Sequence, residues 1–430
     1  MLTAISTSSS TRRATRRPSS FLPRPAGVAA FAAAAAVCVA ATLTSMSVAA
    51  QPAPTTVKLG VLSDFSSVYS TSGGAGLVAA TKLAIEDFGK ENKTLKVEVI
   101  FADHQNKPDV GAGIARKWYD QEGVDAILDV TNSPVAFAVV DVTRKANRVA
   151  LLSAPGSSRL TGEMCTPNTI HWTYDTYEVG SVVGRAVTEA GNKTWFFITA
   201  DYAFGQDLEA NTTAMVKKLG GTVVGNVRVP VNSSDFSSYL LKAQASNAQV
   251  IGLAVAGNDL VTAVKQASEF GLTPKQNLAA INANIVDVHG IGLDIAKGLQ
   301  LAEPFYWDLT PSTRAFTKRF VAINPASYPS LHHAAMYAST LHYLRAFAVA
   351  KTRDGDKIVA QMKATPTHDG LFSDGIIRAD GRKIHDVYLF QVKTPAESKA
   401  PWDYYKVLAT VPGDKAFRPM DEGNCPMVRK

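Results

Sequence analysis

Acidic residues are missing from the first fifty positions, where Arg12, Arg13, Arg16, Arg17 and Arg24 precede an Ala/Val-rich run from Val28 to Leu43. With Val48-Ala49-Ala50 ahead of Gln51, this is the pattern of a secretory leader, and cleavage is expected after Ala50. An uncleaved anchor is the alternative, since the run approaches bilayer length. No twin-arginine consensus follows either arginine pair, and Cys38 lies inside the apolar run instead of at its end, which argues against lipidation. Cysteine is scarce: beyond the leader only Cys165 and Cys425 remain. An exported chain meets oxidising conditions, so this pair is expected to be bridged, with two buried free thiols as the alternative.

Net charge is also nearly absent from the expected mature chain. Without the five leader arginines, Lys+Arg falls from 44 to 39 against 37 acidic residues, so +7 becomes +2. Such a balance lacks the concentrated positive field that nucleic-acid binding needs. No later run reaches 18 uninterrupted apolar residues, which excludes a further membrane span read from hydropathy. Reactive signatures are lacking as well: there is no GxSxG, HExxH or GxxxxGK[ST], and no GxGxxG after the first strand. Gly73-Gly74-Ala75-Gly76 has neither the lysine nor the spacing of a phosphate loop. His332, His333, Tyr337 and His342 have no carboxylate or cysteine at ligand spacing, so they read as the aromatic side of a packed helix and not as a metal site. No enzyme, cofactor or metal is expected.

What is present is a repeated alternation of β-branched runs and helical stretches. Strands are expected at 57–64, 96–103, 124–131 and 149–155, with helices near 75–89, 109–121 and 134–146. A second series has strands at 194–201, 222–230, 250–255, 277–283 and 298–305, with helices starting near 178, 204, 235 and 258. Near-continuous apolar strands mean sheets covered on both faces. Two such series predict an α/β chain of two doubly wound lobes, and about 380 residues is a length that suits two domains. Helices follow at 311–324 and 331–350, and 370–393 reads as a hairpin turning at Asp380-Gly381.

In this order the pieces resemble the branched-chain amino-acid type of periplasmic binding protein, the type I solute receptors of ABC importers. The resemblance covers essentially all of 57–412. It rests on Gly60 and Asp64 in the opening strand, Gly73-Gly74-Ala75-Gly76, AATKLAIEDF (79–88), Asp103, LLSAPGSSRLTG (151–162), DYAFGQDLEA (201–210), Asp235-Phe236 and KQASEFGL (265–272). It implies a type I fold with three crossovers. Lobe 1 would hold 57–172 and 303–370, lobe 2 would hold 173–302 and 371–412, and a tail would occupy 413–430. The hinges fall near Trp172, Glu303 and Gly370.

Ligands of open α/β sheets bind beyond the carboxyl ends of the strands. The resemblance places a ligand carboxylate at Ser133 and at Pro155-Gly156-Ser157, where helix N-termini favour an anion without a full positive charge. Ser133 and Ser157 have simple N-capping as the competing role. Tyr69, Tyr174, Tyr177, Tyr202, Phe204 and Tyr306 are candidate walls, Phe204 matching a family tyrosine, and core packing is the alternative for each. Asn258, Asn282 and Asn284 complete the candidate set. Where related receptors carry an acid for a ligand ammonium, this chain reads Ile281-Asn282-Ala283-Asn284, with no carboxylate before Asp287. Asp175 or Asp201 are the possible substitutes. The departure favours a small carboxylate without an amine, such as an aromatic acid, over an amino acid. The expected protein is a monomeric periplasmic receptor handing solute to an importer permease. A sensor signalling to a membrane partner is the other reading of the same module.

Overall fold

The computed structural model describes residues 55–273 and 275–428; the expected leader lies outside them. The first sheet is parallel, in the order β2-β1-β3-β4-β5, from β1 (Thr56–Ser63), β2 (Lys96–Asp103), β3 (Ala126–Asp129), β4 (Val149–Leu152) and β5 (Thr169–His171). Its helices are α1 (Gly74–Glu91), α2 (Pro108–Asp120) and α3 (Ser133–Lys145). Side chains alternate across a strand, and here both faces are buried. Val57, Leu59 and Val61 join one core and Leu62 the other; Ala126 and Leu128 face opposite Ile127; Val149 and Leu151 face opposite Ala150 and Leu152.

After β5 come α4 (Thr176–Glu189), β6 (Thr194–Ala200), α5 (Ala203–Lys218), β7 (Thr222–Val229), α6 (Ser237–Ala245), β8 (Val250–Ala254), α7 (Asn258–Glu269), β9 (Asn277–Ala280), α8 (Ile285–Ile291) and α9 (Leu293–Ala296). The second parallel sheet has the order β7-β6-β8-β9. Trp195 and Phe197 enter one core, and Phe196 and Ile198 the other.

The chain then forms β10 (Gln300–Glu303), α10 (Pro311–Ile323), α11 (Leu331–Ala350), α12 (Gly355–Ala364), β11 (Val387–Val392) and β12 (Tyr405–Val411). Helix α11 is buried nearly all round and lies on α1, while Asn147 Nδ2 donates to Asp354 Oδ1 at 3.3 Å. The late segment thus completes the first sheet's covering layers. Two doubly wound lobes result, as the strand pattern predicts.

Two expectations are corrected. Of residues 370–393 only 376–384 form a hairpin, turning at Asp380-Gly381 and closed by the bridge Ile377↔Lys383 with the Arg378 and Ile384 N–H groups donating to the Arg382 and Ile376 carbonyls at 2.8 Å each, while β11 pairs antiparallel with β10 and β12 in a three-stranded sheet. Helix α11 is buried over most of its surface and not only on its aromatic face, with Arg345 and Val349 left exposed. No helix among the described residues is long and apolar enough to cross a membrane.

Cys165 and Cys425 are bridged, with Cα atoms 5.6 Å apart. Beside the bridge Arg418 Nη2 donates to the Ser158 carbonyl at 2.8 Å, so the tail is fastened to the loop after β4. The bridge joins residues 260 apart, and a loop of that length leaves the unfolded chain much entropy to lose. Replacing both cysteines with serine is expected to lower unfolding free energy by about 2–4 kcal/mol. Denaturant unfolding of the oxidised protein and the double variant measures the difference.

Candidate functional site

Between the two parallel sheets lies a cavity whose water-accessible volume is about 40 Å³. Its wall comes almost wholly from carboxyl ends of strands. Tyr69 and Ser72 follow β1; Thr131, Asn132 and Ser133 follow β3; Ala154 and Gly156 follow β4; Tyr174 follows β5. From the second sheet come Tyr202 and Phe204 after β6, Ala256 and Gly257 after β8, and Asn282 and Asn284 after β9. His332, at the start of α11, completes it.

The loop bearing Tyr69 is organised by Asp64, which accepts from the N–H groups of Ser66, Ser67 and Tyr69 at 3.2, 2.8 and 2.9 Å. Burial opposes the charge on Asp64, yet the Ser67 hydroxyl and these amides together hold its carboxyl below the usual range. The turn after β3 is strained: Asp129, Val130 and Asn132 have φ of 77°, 59° and 85°, unusual for residues with a Cβ. Buried Asp129 accepts from Ser153 Oγ at 2.8 Å and from the Thr131 N–H at 3.2 Å, which fixes the turn that aims the α3 N-terminus at the cavity. Ser133 Oγ accepts the Ser157 N–H at 3.1 Å, leaving the serine's own O–H to donate elsewhere.

Contacts across the cleft close it. Tyr69 and Tyr202 hydroxyls are 2.6 Å apart, and the Asn258 N–H donates to the Val68 carbonyl at 3.2 Å. Asp207 of α5 accepts from Ser157 Oγ at 2.9 Å, the Ser158 N–H at 2.7 Å and Ser158 Oγ at 3.0 Å. Two glycines are required by these approaches. A Cβ at Gly156 would lie 2.7 Å from both Phe204 Cε2 and the Tyr174 hydroxyl. Gly257 has φ +60°, and a Cβ there would lie 2.5 Å from the Val68 carbonyl oxygen.

Eight candidates from the sequence thus meet on the wall: Tyr69, Ser133, Gly156, Tyr174, Tyr202, Phe204, Asn282 and Asn284. Five are placed elsewhere. Pro155 is buried with its carbonyl toward His171, and the Ser157 hydroxyl is taken by Asp207. Tyr177 is half-buried toward Ser181, Arg418 and Glu422. Asn258 is exposed at the start of α7. Tyr306 packs in the core against Phe390 and Tyr405, its hydroxyl donating to the Trp402 carbonyl at 3.3 Å. Sequence reasoning missed Asp207, although it lies within DYAFGQDLEA, and His332, which it read as helix packing.

Among the described residues lining the cavity there is no Asp, Glu, Lys or Arg. Asp175 caps α4 by accepting the Glu178 N–H at 2.9 Å and lies 3.6 Å from the buried Arg382 guanidinium. Asp201 is exposed. Asp287 sits behind Asn284, accepting its N–H at 3.0 Å and its amide at 2.7 Å. Burial raises the Asp287 carboxyl to about 7, with the Asn284 N–H acting in the opposite direction.

The profile of the periplasmic binding protein family matches residues 56–399, so the chain belongs to that family. A periplasmic binding protein of Burkholderia mallei is 45% identical, with TM-score 0.85, over 87% of this chain and 100% of that one. A branched chain amino acid ABC transporter periplasmic ligand-binding protein of Burkholderia xenovorans LB400 is 39% identical, with TM-score 0.76, over 86% and 99%. A solute binding protein of Rhodopseudomonas palustris BisB5, in complex with 3,4-dihydroxy benzoic acid, shares the fold at 20% identity, TM-score 0.75, over 83% and 98%. The chain spans about half the length (49%) of the Leu/Ile/Val-binding protein homolog 6 of Brucella abortus, at 27% identity over 195 residues.

The Gly257 contact forms only when the lobes meet, so a side chain there opposes closure more than folding. Gly257→Ala is expected to weaken ligand binding by about tenfold or more while the ligand-free melting temperature falls by only a few degrees. Calorimetric titration with the acid that most stabilises the wild type, beside a thermal melt, separates the two effects.

Proposed function

We propose that this member of the periplasmic binding protein family is the periplasmic receptor of an ABC importer, that it closes around a small carboxylate without an amine, and that an aromatic acid fits best. The observation carrying this reading is the uncharged wall. A buried ammonium without a paired carboxylate loses several kcal/mol of hydration. A carboxylate fares differently, since the Ser133 hydroxyl and the α3 N-terminus offer neutral donors and a favourable dipole end. Tyr69, Tyr174, Tyr202 and Phe204 supply flat apolar walls for a ring. The Rhodopseudomonas protein holds an acid of this class, and the small cavity leaves no room for a peptide.

In this reading the lobes are 57–172 with 303–370 and 173–302 with 371–412, hinged near Trp172, Glu303 and Gly370. The protein acts by binding, closure and release, and performs no chemistry on its cargo. Contacts from both lobes are required because a ligand drives closure only through its preference for the closed form. Ser133 and Gly156 face the solute from one side; Tyr202, Phe204, Asn282 and Asn284 face it from the other.

A ligand selective for the native state raises the melting temperature. The test is a thermal-shift screen of the chain from Gln51 against aromatic carboxylates, aliphatic acids, amino acids and nicotinamide cofactors. A rise of several degrees with aromatic acids is expected. A rise with leucine-like amino acids alone would refute the amine-free assignment, and a rise with nicotinamide cofactors alone would reopen an enzymatic reading.

A further inference from the structure

His332 stands apart on the cavity wall. It is 5% exposed, it lines the cavity, and neither Nδ1 nor Nε2 has a hydrogen-bond partner within the protein. The other histidines of α11 are held: His333 Nδ1 accepts the Ser330 N–H at 3.0 Å, and His342 Nε2 is 3.0 Å from the Met362 carbonyl. The His332 ring meets Tyr174 edge to face, with centroids 5.5 Å apart, so an aromatic neighbour holds it in place. No cluster among the described residues could make it a metal ligand. A buried polar group without a partner is disfavoured, and a cavity-lining imidazole with neither nitrogen paired within the protein is one whose partner can arrive with the ligand.

The chemistry narrows that partner. Burial lowers the His332 imidazole to about 4, so at neutral pH the ring is uncharged and carries one donor and one acceptor whichever tautomer it adopts. A carboxylate can only accept and an ammonium can only donate; a hydroxyl does both. Resting on the reading above, in which Ser133 and the α3 N-terminus take the carboxylate, we infer that His332 is a specificity-determining residue that pairs with a hydroxyl on the ring of an aromatic acid and selects hydroxylated acids over their unsubstituted parents.

The experiment is calorimetric titration of the wild type, His332→Phe and His332→Gln with benzoate, 3-hydroxybenzoate and 4-hydroxybenzoate. The wild type is expected to bind at least one hydroxybenzoate about tenfold or more tighter than benzoate, because a site built to pair a hydroxyl discriminates against its absence. His332→Phe should erase that preference, bringing the three affinities to within about threefold of one another. His332→Gln, which keeps a donor and an acceptor, should retain part of it and carries the comparison should the phenylalanine variant fold poorly. No preference in the wild type, or equal weakening of all three acids by the substitutions, would overturn the role of His332 and leave the aromatic-acid reading standing. Binding of amino acids with none of the three benzoates would sink that reading, and this inference with it.

Discussion

Parallel βα units leave unpaired backbone N–H groups where each strand hands over to its helix, and they leave them all at the same edge of the sheet. Two such edges face each other here, and the cavity occupies the space between them. Its polarity is therefore backbone amides and short neutral side chains, not salt bridges. Asp64 and Asp129, the acids nearest these loops in the first sheet, are spent inward on shaping the turns that present Tyr69 and Ser133. Carboxyl groups support the scaffold while the wall itself carries no Asp, Glu, Lys or Arg among the described residues.

Closure depends on the same edges. The Tyr69–Tyr202 hydroxyl pair, the Val68 carbonyl over Gly257 and the Asp207 carboxylate on Ser157 and Ser158 connect loops of opposite sheets. None of these contacts exists unless the lobes meet; the neutral ones are modest, typically about 1 kcal/mol net each, and those to the Asp207 carboxylate about 1.5–3 kcal/mol. A closed state held by a few such bonds can reopen. The disulfide and the Arg418 contact reinforce one of these loops from behind, next to Ser158.

Most of the fold was legible because strongly periodic segments determine their own type. Strand 96–103 and helix 331–350 match their expected bounds. What escaped was short or non-local. Thr169–His171 is only three residues long, too brief for a pattern, and it is a strand because β4 lies beside it. The hairpin expected over 370–393 is shortened to 376–384, because a turn signal at Asp380-Gly381 says nothing about which distant strand the residues beyond it will join, and 387–392 joined β10. In the site, strand ends were readable from their small and polar residues. Tyr306 was not, since an aromatic residue looks the same whether it faces a cleft or packs on Tyr405. Ser157 turned on Asp207, a partner 50 residues away. His332 looked like packing because the helix around it is rich in alanine, leucine and aromatic residues.

The central claim is that an uncharged cleft accepts a carboxylate and refuses an ammonium. Calorimetric titration with matched pairs differing only in the α-amino group, 3-phenylpropanoate against phenylalanine and 4-methylpentanoate against leucine, tests it directly. The account predicts that in any pair that binds, the amine-free acid binds tighter by about a hundredfold, the size of a few kcal/mol of unpaired ammonium burial. Tighter binding of the amino acid in either pair would contradict it and would require a carboxylate to reach the cavity in the ligand-bound form.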